Sequence, residues 1–254
     1  MTFDLDTLFV GRAHIHLAET ESTNSYAAVH LNSGQAAEGT VVTTHFQRGG
    51  RGQIGRSWYG SPGLNVMCSV VLKPKFLPPR AQFDLSIAIC CAVRKTIARL
   101  SPNEDTAVKW PNDVYIGDNK VAGILIQNTI AGSTISETIV GIGINVNEEV
   151  FPSHIPNPTS LRMVNGTSCS LNVVYAHLFR DIEQYYLKLK AGDRDGLRAE
   201  YHQHLYRCNQ PAEFRLAEGG QLTGIIQYVD EQGKLVMLVN GEERKYAFRE
   251  VSFL

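Results

Sequence analysis

Val140-Gly141-Ile142-Gly143-Ile144-Asn145-Val146-Asn147 alternates strictly with a period of two. That period belongs to a strand, whose successive side chains point to opposite faces. Val140, Ile142, Ile144 and Val146 therefore share a face suited to a hydrophobic core, while Gly141, Gly143, Asn145 and Asn147 share one with almost no bulk. A face of glycines weakens a sheet and implies that something approaches the backbone closely. A helix crossing there and a ligand lying on the sheet both satisfy the pattern, and Asn145 supplies a polar handle.

Working outward, short runs rich in Val and Ile between Gly and Pro punctuation predict strands over 39–45, 64–72, 113–116, 120–127 and 138–146, with a further short strand before Trp110. A long helix is predicted over 81–100, where Phe83, Ile87, Cys90, Cys91, Val93, Ile97 and Leu100 form one broad apolar face. A second opens after Asn172 as N-cap and runs through Val174, Leu178, Ile182, Tyr185 and Leu189 until Gly192. Shorter helical stretches cover 25–31 and 196–206. From Cys208 onward the pattern changes to brief strands over 212–216, 221–229, 235–239 and 244–248, divided by Glu218-Gly219-Gly220, Gln232-Gly233 and Asn240-Gly241. The fold class is α+β, with a mixed sheet and helices in a first domain over 1–207 and a small antiparallel barrel over 208–254.

At 254 residues the chain can bury a core without disulfides or metals. A formal net charge of −1 offers no field for gripping nucleic acid. The N-terminal stretch reads as no secretory signal, and no apolar run approaches the ~18 residues of a membrane span. Cys68, Cys90, Cys91, Cys169 and Cys208 are odd in number and lack CxxC spacing, which suits reduced thiols in the cytoplasm. The histidine pairs His14/His16 and His202/His204 lack further ligands nearby, so no protein-bound metal is expected.

The densest chemical signal is Gln47-Arg48-Gly49-Gly50-Arg51-Gly52-Gln53-Ile54-Gly55-Arg56-Ser57-Trp58. It embeds a formal G-x-G-x-x-G. A dinucleotide fingerprint should open a helix and find an acid about 20 residues on, yet Ser61-Pro62-Gly63 and Lys75 stand there. A kinase loop would need H-R-D or D-F-G, and neither occurs. The loop remains one whose backbone N–H groups and arginines can lie on phosphate or carboxylate, or a surface hairpin loop with incidental arginines.

Lys109-Trp110-Pro111-Asn112-Asp113 places Asn112 and Asp113 at a bend, and Lys120-Val121-Ala122-Gly123-Ile124-Leu125 follows closely. Either lysine alone is a solvated strand end. Two bracketing an Asn-Asp bend point to an anion. Ser22-Thr23-Asn24 reads by itself as a helix N-cap, and alternatively as hydroxyl and amide groups for a neutral polar ligand.

In this order the segments resemble the biotin protein ligase family. Its Ser-Thr-Asn is similar to Ser22 to Asn24, its G-R-G-x-x-G-R-x-W loop to Gly50 to Trp58, and its K-W-P-N-D to Lys109 to Asp113. Lys120 to Leu125 resembles its K-x-x-G-I-L strand, Gly141 to Asn145 its G-I-G-x-N run, and Thr159 to Leu161 its T-S-L element. The resemblance implies a sheet related to class II aminoacyl-tRNA synthetases and lipoate ligases, followed by an SH3-like barrel. It implies that biotin and ATP, with Mg²⁺ arriving on ATP, give biotinyl-AMP, and that biotin then passes to a lysine of a biotin carboxyl carrier protein.

By that resemblance Ser22, Thr23, Asn24 and Gln47 hold the ureido ring and neighbouring parts of biotin. Arg51, Gly52 and Gln53 close over carboxylate and phosphate, Lys109 stabilises the α-phosphate, Lys120 contacts the acyl-phosphate region and Asn145 serves the nucleotide. Trp58, Asn112 and Gly123 complete the ligand-binding set, and Asp113 orients the acceptor amine or meets magnesium. Two departures stand out: Gln53 occupies a position where many bacterial members have Arg, and the stretch before Thr20 leaves no room for the winged helix-turn-helix of repressor-type members. Operator DNA and membrane are therefore not expected partners, and a homodimer is left open. Lipoate or octanoate ligation on the same fold, and a co-repressor or noncatalytic biotin-binding module, are the alternatives. The arginine-rich loop disfavours the first of these; the absent DNA-binding segment and the presence of Arg51, Lys109 and Lys120 disfavour the second.

Overall fold

Alternation at Val140 to Val146 is realised in a sheet that has a buried apolar face and an opposite one carrying Gly141 and Gly143. The computed structural model describes residues 5–53 and 57–254. Among these, β1 (His14–Thr20), β2 (Val41–Gln47), β3 (Val66–Leu72), β4 (Thr106–Lys109), β5 (Asp113–Ile116), β6 (Asn119–Ala131) and β7 (Thr134–Ile144) form a sheet in the order β1-β2-β3-β7-β6-β5-β4. The β1/β2 pair is parallel and the remaining ladders are antiparallel, so the sheet is mixed as expected.

Helices α2 (Gln82–Leu100) and α4 (Leu171–Lys190) cover one face. Val140, Ile142, Ile144 and Val146 join Leu85, Ile89 and Val93 of α2 and Val174, Leu178 and Ile182 of α4 in one buried cluster. Each such side chain contributes roughly 1.5–3 kcal/mol by leaving water, so this layer dominates stability. On the other face, Ala27 and Leu31 of α1 (Thr23–Asn32) pack on Val42, Val71 and Ile139. The short helix packs on β2, β3 and β7 and does not extend over β4 and β5.

Several elements differ from expectation. β1 was not predicted, because His-Ile-His-Leu-Ala-Glu-Thr carries weak apolar contrast; it forms because β2 supplies the ladder and Ile15 and Leu17 pack beside α1. Helix α4 begins one turn-step early with Ser170 at the N-cap, whose carbonyl accepts the N–H groups of Val173 and Val174, so Asn172 is helical. Helix α5 (Arg194–Gln203) likewise starts early because the Asp193 carboxylate accepts the Gly196 N–H at 3.2 Å. A short helix α3 (Leu161–Asn165) follows the Thr159-Ser160 pair.

The tail forms a second sheet from β8 (Pro211–Leu216), β9 (Gln221–Val229), β10 (Leu235–Val239), β11 (Glu242–Tyr246) and β12 (Val251–Phe253), in the order β11-β10-β9-β8-β12. Val239 pairs with Glu242 across Asn240-Gly241, both at positive φ, so β11 begins immediately after the turn rather than at Arg244. Among the described ladders β11 and β12 are edges, so the expected small barrel is present as a five-stranded sheet whose ladders do not close. The two sheets meet where Trp110 Nε1 donates to the Gly233 carbonyl at 2.9 Å. His204 to Tyr206 also cover the outer edge of β4 through bonds to Val108. Among the described residues no helix is long and apolar enough to cross a membrane.

Candidate active site

The glycine face of the first sheet carries two adjoining cavities, of about 100 Å³ and about 850 Å³. The smaller lies at the N-terminus of α1. Ser22, Thr23 and Asn24 line it together with Gln47, Arg51, Gly52 and Gln53. Ser22 occupies the N-cap position, but its side chain makes no capping bond, which corrects the plain N-cap reading. The cap is supplied from outside: Gln47 Oε1 accepts the Thr23 N–H at 2.8 Å.

The polar groups around this cavity form a connected net. Ser69 Oγ lies 2.8 Å from Thr23 Oγ1 and 2.6 Å from Asn24 Oδ1, and Asn24 Nδ2 donates to Gln127 Oε1 at 3.1 Å. Ser69 and Gln127 were missed in the sequence. The available signal was a lone hydroxyl inside Val-Met-Cys-Ser-Val-Val-Leu, a strand buried throughout, since a buried polar atom must find a partner.

The glycine face is occupied by the protein itself. A Cβ built on Gly143 collides with the Trp58 indole, one on Gly123 meets the same ring, and one on Gly141 collides with the Asn24 amide. Neither a helix backbone nor bare ligand space accounts for the glycines: they seat Trp58 and Asn24 as part of the cavity wall. Trp58 Nε1 is buried without a hydrogen-bond partner, so it presents an unmatched donor at this wall.

β4, β5 and β6 deliver the charged groups. Lys109 stands directly opposite Asp113, and Tyr115 opposite Lys120, which puts these four side chains on one face. Lys120 Nζ lies 2.7 Å from Asp113 Oδ1 and 5.7 Å from the Trp58 ring centroid. Gln53, Ser57, Trp58, Asn112, Asp113 and Lys120 line both cavities. Lys109 lines only the larger, with Nζ donating to Tyr115 Oη at 2.9 Å.

Other expected residues serve partly as scaffolding. Asn112 Nδ2 donates to the Ile124 carbonyl at 2.5 Å, pinning the bend to β6. Asn145 lines the larger cavity, but its Nδ2 is bonded to the Thr159 carbonyl at 2.9 Å, which anchors the Thr159–Leu161 element. Gly123 belongs to the smaller cavity. Among the loop arginines, Arg51 lines the smaller cavity while Arg48 pairs with Glu19 at 2.6 Å, away from it. Ile54, Gly55 and Arg56 lie outside the described residues. Among the described residues no group of three or more His, Cys, Asp or Glu could hold a metal ion.

The family model of the biotin/lipoate A/B protein ligase family matches residues 17–145, from within β1 to just past the end of β7, and so takes in part or all of every strand of the first sheet. The chain belongs to this family. Among its relatives, the biotin--[acetyl-CoA-carboxylase] ligase of Mycobacterium tuberculosis is 28% identical over 228 residues, covering 89% of this chain and 83% of that protein. The bifunctional ligase/repressor BirA of Escherichia coli is 26% identical over 237 residues, 91% of this chain and 71% of that one. The Bacillus subtilis BirA is 31% identical, with 72% of this chain matching 57% of it. The fold is similar to that of a biotin protein ligase from Aquifex aeolicus solved with biotin and ATP, at a TM-score of 0.80 and 24% identity over 96% of this chain and 99% of that one.

Proposed function

We propose that this member of the family is an ATP-dependent biotin protein ligase. It joins biotin to ATP as biotinyl-5'-AMP and then transfers biotin to one lysine of a biotin carboxyl carrier protein. The observation that carries this is the junction of the two cavities. The hydroxyl and amide groups of Ser22, Thr23, Asn24 and Gln47 in the smaller cavity suit a ureido ring, and the larger cavity suits a nucleotide, with Asp113 and Lys120 on the wall shared by both.

In the first step a carboxylate oxygen of biotin attacks the α-phosphorus, and the bond to the β-phosphate oxygen breaks as pyrophosphate leaves. Two anions must approach, so catalysis is chiefly electrostatic. Lys120 holds its ammonium at the junction, with Arg51 and Gln53 on the adjacent wall to close over carboxylate and phosphate. Ser22, Thr23, Asn24 and Gln47 hold the ring of biotin, Trp58 and Gly123 bound its chain, and Asn112 and Asn145 shape the nucleotide side. Lys109, in the larger cavity, serves the phosphates. Magnesium arriving on ATP would supply further charge neutralisation, and Asp113 is the one acidic side chain among the described residues lining either cavity. In the second step the acceptor lysine, as free amine, attacks the carbonyl of the mixed anhydride; AMP leaves, an amide forms and the amine releases a proton. Asp113 is placed to receive that amine or to meet magnesium.

In the same reading residues 1–207 form the ligase domain and 208–254 an SH3-like module. Its partners are small molecules and the acceptor domain, in monomer or homodimer, without nucleic acid or membrane. The five free thiols suit a reducing cytoplasm. Biotin-dependent exchange of labelled pyrophosphate into ATP tests the proposal. Exchange with biotin and none with lipoate or octanoate supports it, whereas exchange driven by lipoate or octanoate alone overturns it.

A further inference from the structure

Lys109 is surrounded by aromatic rings from both sheets. Its Nζ lies 4.7 Å from the Tyr115 ring centroid, 4.8 Å from that of Phe253 and 6.0 Å from that of Tyr206. Tyr115 belongs to β5 of the first sheet, Tyr206 to the connection between the sheets, and Phe253 to β12, in the second sheet. The rings brace one another, with centroids 5.2 Å apart for Tyr115 and Tyr206 and 5.8 Å for Tyr206 and Phe253. Tyr206 Oη donates to Asp118 Oδ1 at 2.5 Å, and Phe253 packs at a tilt against Phe214 with centroids 5.1 Å apart. Each wall of the box is thus anchored independently of the lysine.

A lysine stem ordinarily samples many rotamers around a hydrated charge. Here the rings of Phe253 and, farther off, Tyr206 attract the ammonium, and the Tyr115 hydroxyl oxygen accepts one of its hydrogens at 2.9 Å. Lys109, Tyr115 and Phe253 all line the larger cavity, so the box opens onto it. A cation fixed there meets an anionic ligand with less ordering cost than a mobile one. We propose that Tyr115, Tyr206 and Phe253 are positioning residues that aim the Lys109 ammonium at the polyphosphate of bound nucleotide. This rests on the reading of the larger cavity as the ATP site.

The test is the affinity of the full chain for α,β-methylene ATP and, separately, for biotin, both by calorimetry. Phe253→Leu keeps apolar bulk without a ring face, and Tyr115→Phe keeps the ring without the hydroxyl. Each is expected to weaken nucleotide binding about 3- to 10-fold and to change biotin affinity less than about twofold. In a Lys109→Met background, Phe253→Leu should then add less than about twofold, because the box no longer holds a charge. Equal losses with and without Lys109, unchanged nucleotide affinity in Phe253→Leu, or a parallel loss of biotin affinity would each overturn the proposal. An unaltered nucleotide affinity in Lys109→Met would do so too. Failure of the ligase reading is seen elsewhere, as absence of biotin-dependent pyrophosphate exchange in the unaltered protein.

Discussion

Lys120 Nζ lies 2.7 Å from Asp113 Oδ1, and both residues line both cavities. The pair is part-exposed, so it contributes little to folding, and its position matters more than its stability. A lysine that neutralises charge chiefly in the transition state affects turnover more than binding. Lys120→Met is therefore expected to reduce biotin-dependent pyrophosphate exchange by ~10²-fold or more with biotin affinity changed far less. Near-normal exchange by the purified variant would remove Lys120 from the reacting centre. Lys109→Met, acting in the larger cavity, is expected to raise the KM for ATP more than it lowers kcat.

Gly143 seats the indole of Trp58, and a side chain there must displace the ring. Gly143→Val is expected to weaken biotin binding at least ~10-fold while the ligand-free protein still melts cooperatively, since the collision falls on the cavity wall and not in the α2/α4 core. A variant that fails to fold, with any folded fraction binding normally, would show that the glycine serves packing only.

Gln53 borders both cavities with a neutral amide. An amide lacks the charge-assisted bond by which a guanidinium retains a phosphoanhydride. Gln53→Arg should slow release of biotinyl-AMP after rapid dilution, and Gln53→Gly should hasten it and raise biotinylation of bystander lysines. Identical release from all three proteins would place Gln53 outside the retaining wall.

His14 donates or accepts at Thr43 Oγ1 over 2.7 Å, and burial, with His16 nearby, holds its pKa down from 6.5 to about 4. Between these values the unfolded chain binds a proton that the folded chain refuses. Its contribution to stability is full above about 6.5, declines as pH falls and is lost below about 4. Allowing for partial exposure, the loss is roughly 1–2 kcal/mol. Melting curves from pH 7 to 4 should show a shallower decline for His14→Asn than for the unaltered protein. Parallel declines would mean that other groups carry the acid sensitivity.

Glu183 is buried and accepts the N–H groups of Leu8, Phe9 and Val10 at 2.6, 2.7 and 3.0 Å. Removing the acceptor leaves these donors to find water or stay unpaired. Glu183→Ala is expected to cost about 2–4 kcal/mol in denaturant unfolding and to leave biotin affinity of the folded protein unchanged. A loss under ~1 kcal/mol would show that the segment repairs its bonds locally.

Local chemistry settled much of this protein in advance. Alternation at Val140 to Val146 assigned the core face because strand geometry leaves a side chain only two directions, and α2 was legible because its apolar residues recur at the helical period. The motif segments named Ser22, Thr23, Asn24, Gln47, Arg51, Gly52, Gln53, Trp58, Asn112, Asp113, Lys120 and Gly123, and these converge on the smaller cavity. What the sequence left open concerned partners distant in the chain. β1 depends on β2 and α1 more than on its own pattern, and Ser69 became a site residue only when folding set it beside Asn24. The glycine face admitted either a helix or a ligand until Trp58 was seen lying on Gly143. The two lysines, which the resemblance alone had given different roles, were set in different surroundings by tertiary structure, Lys120 at the junction and Lys109 in a box closed by Phe253. Periodicity records how a segment meets solvent and core, but which side chains meet from distant parts of the chain is decided by packing.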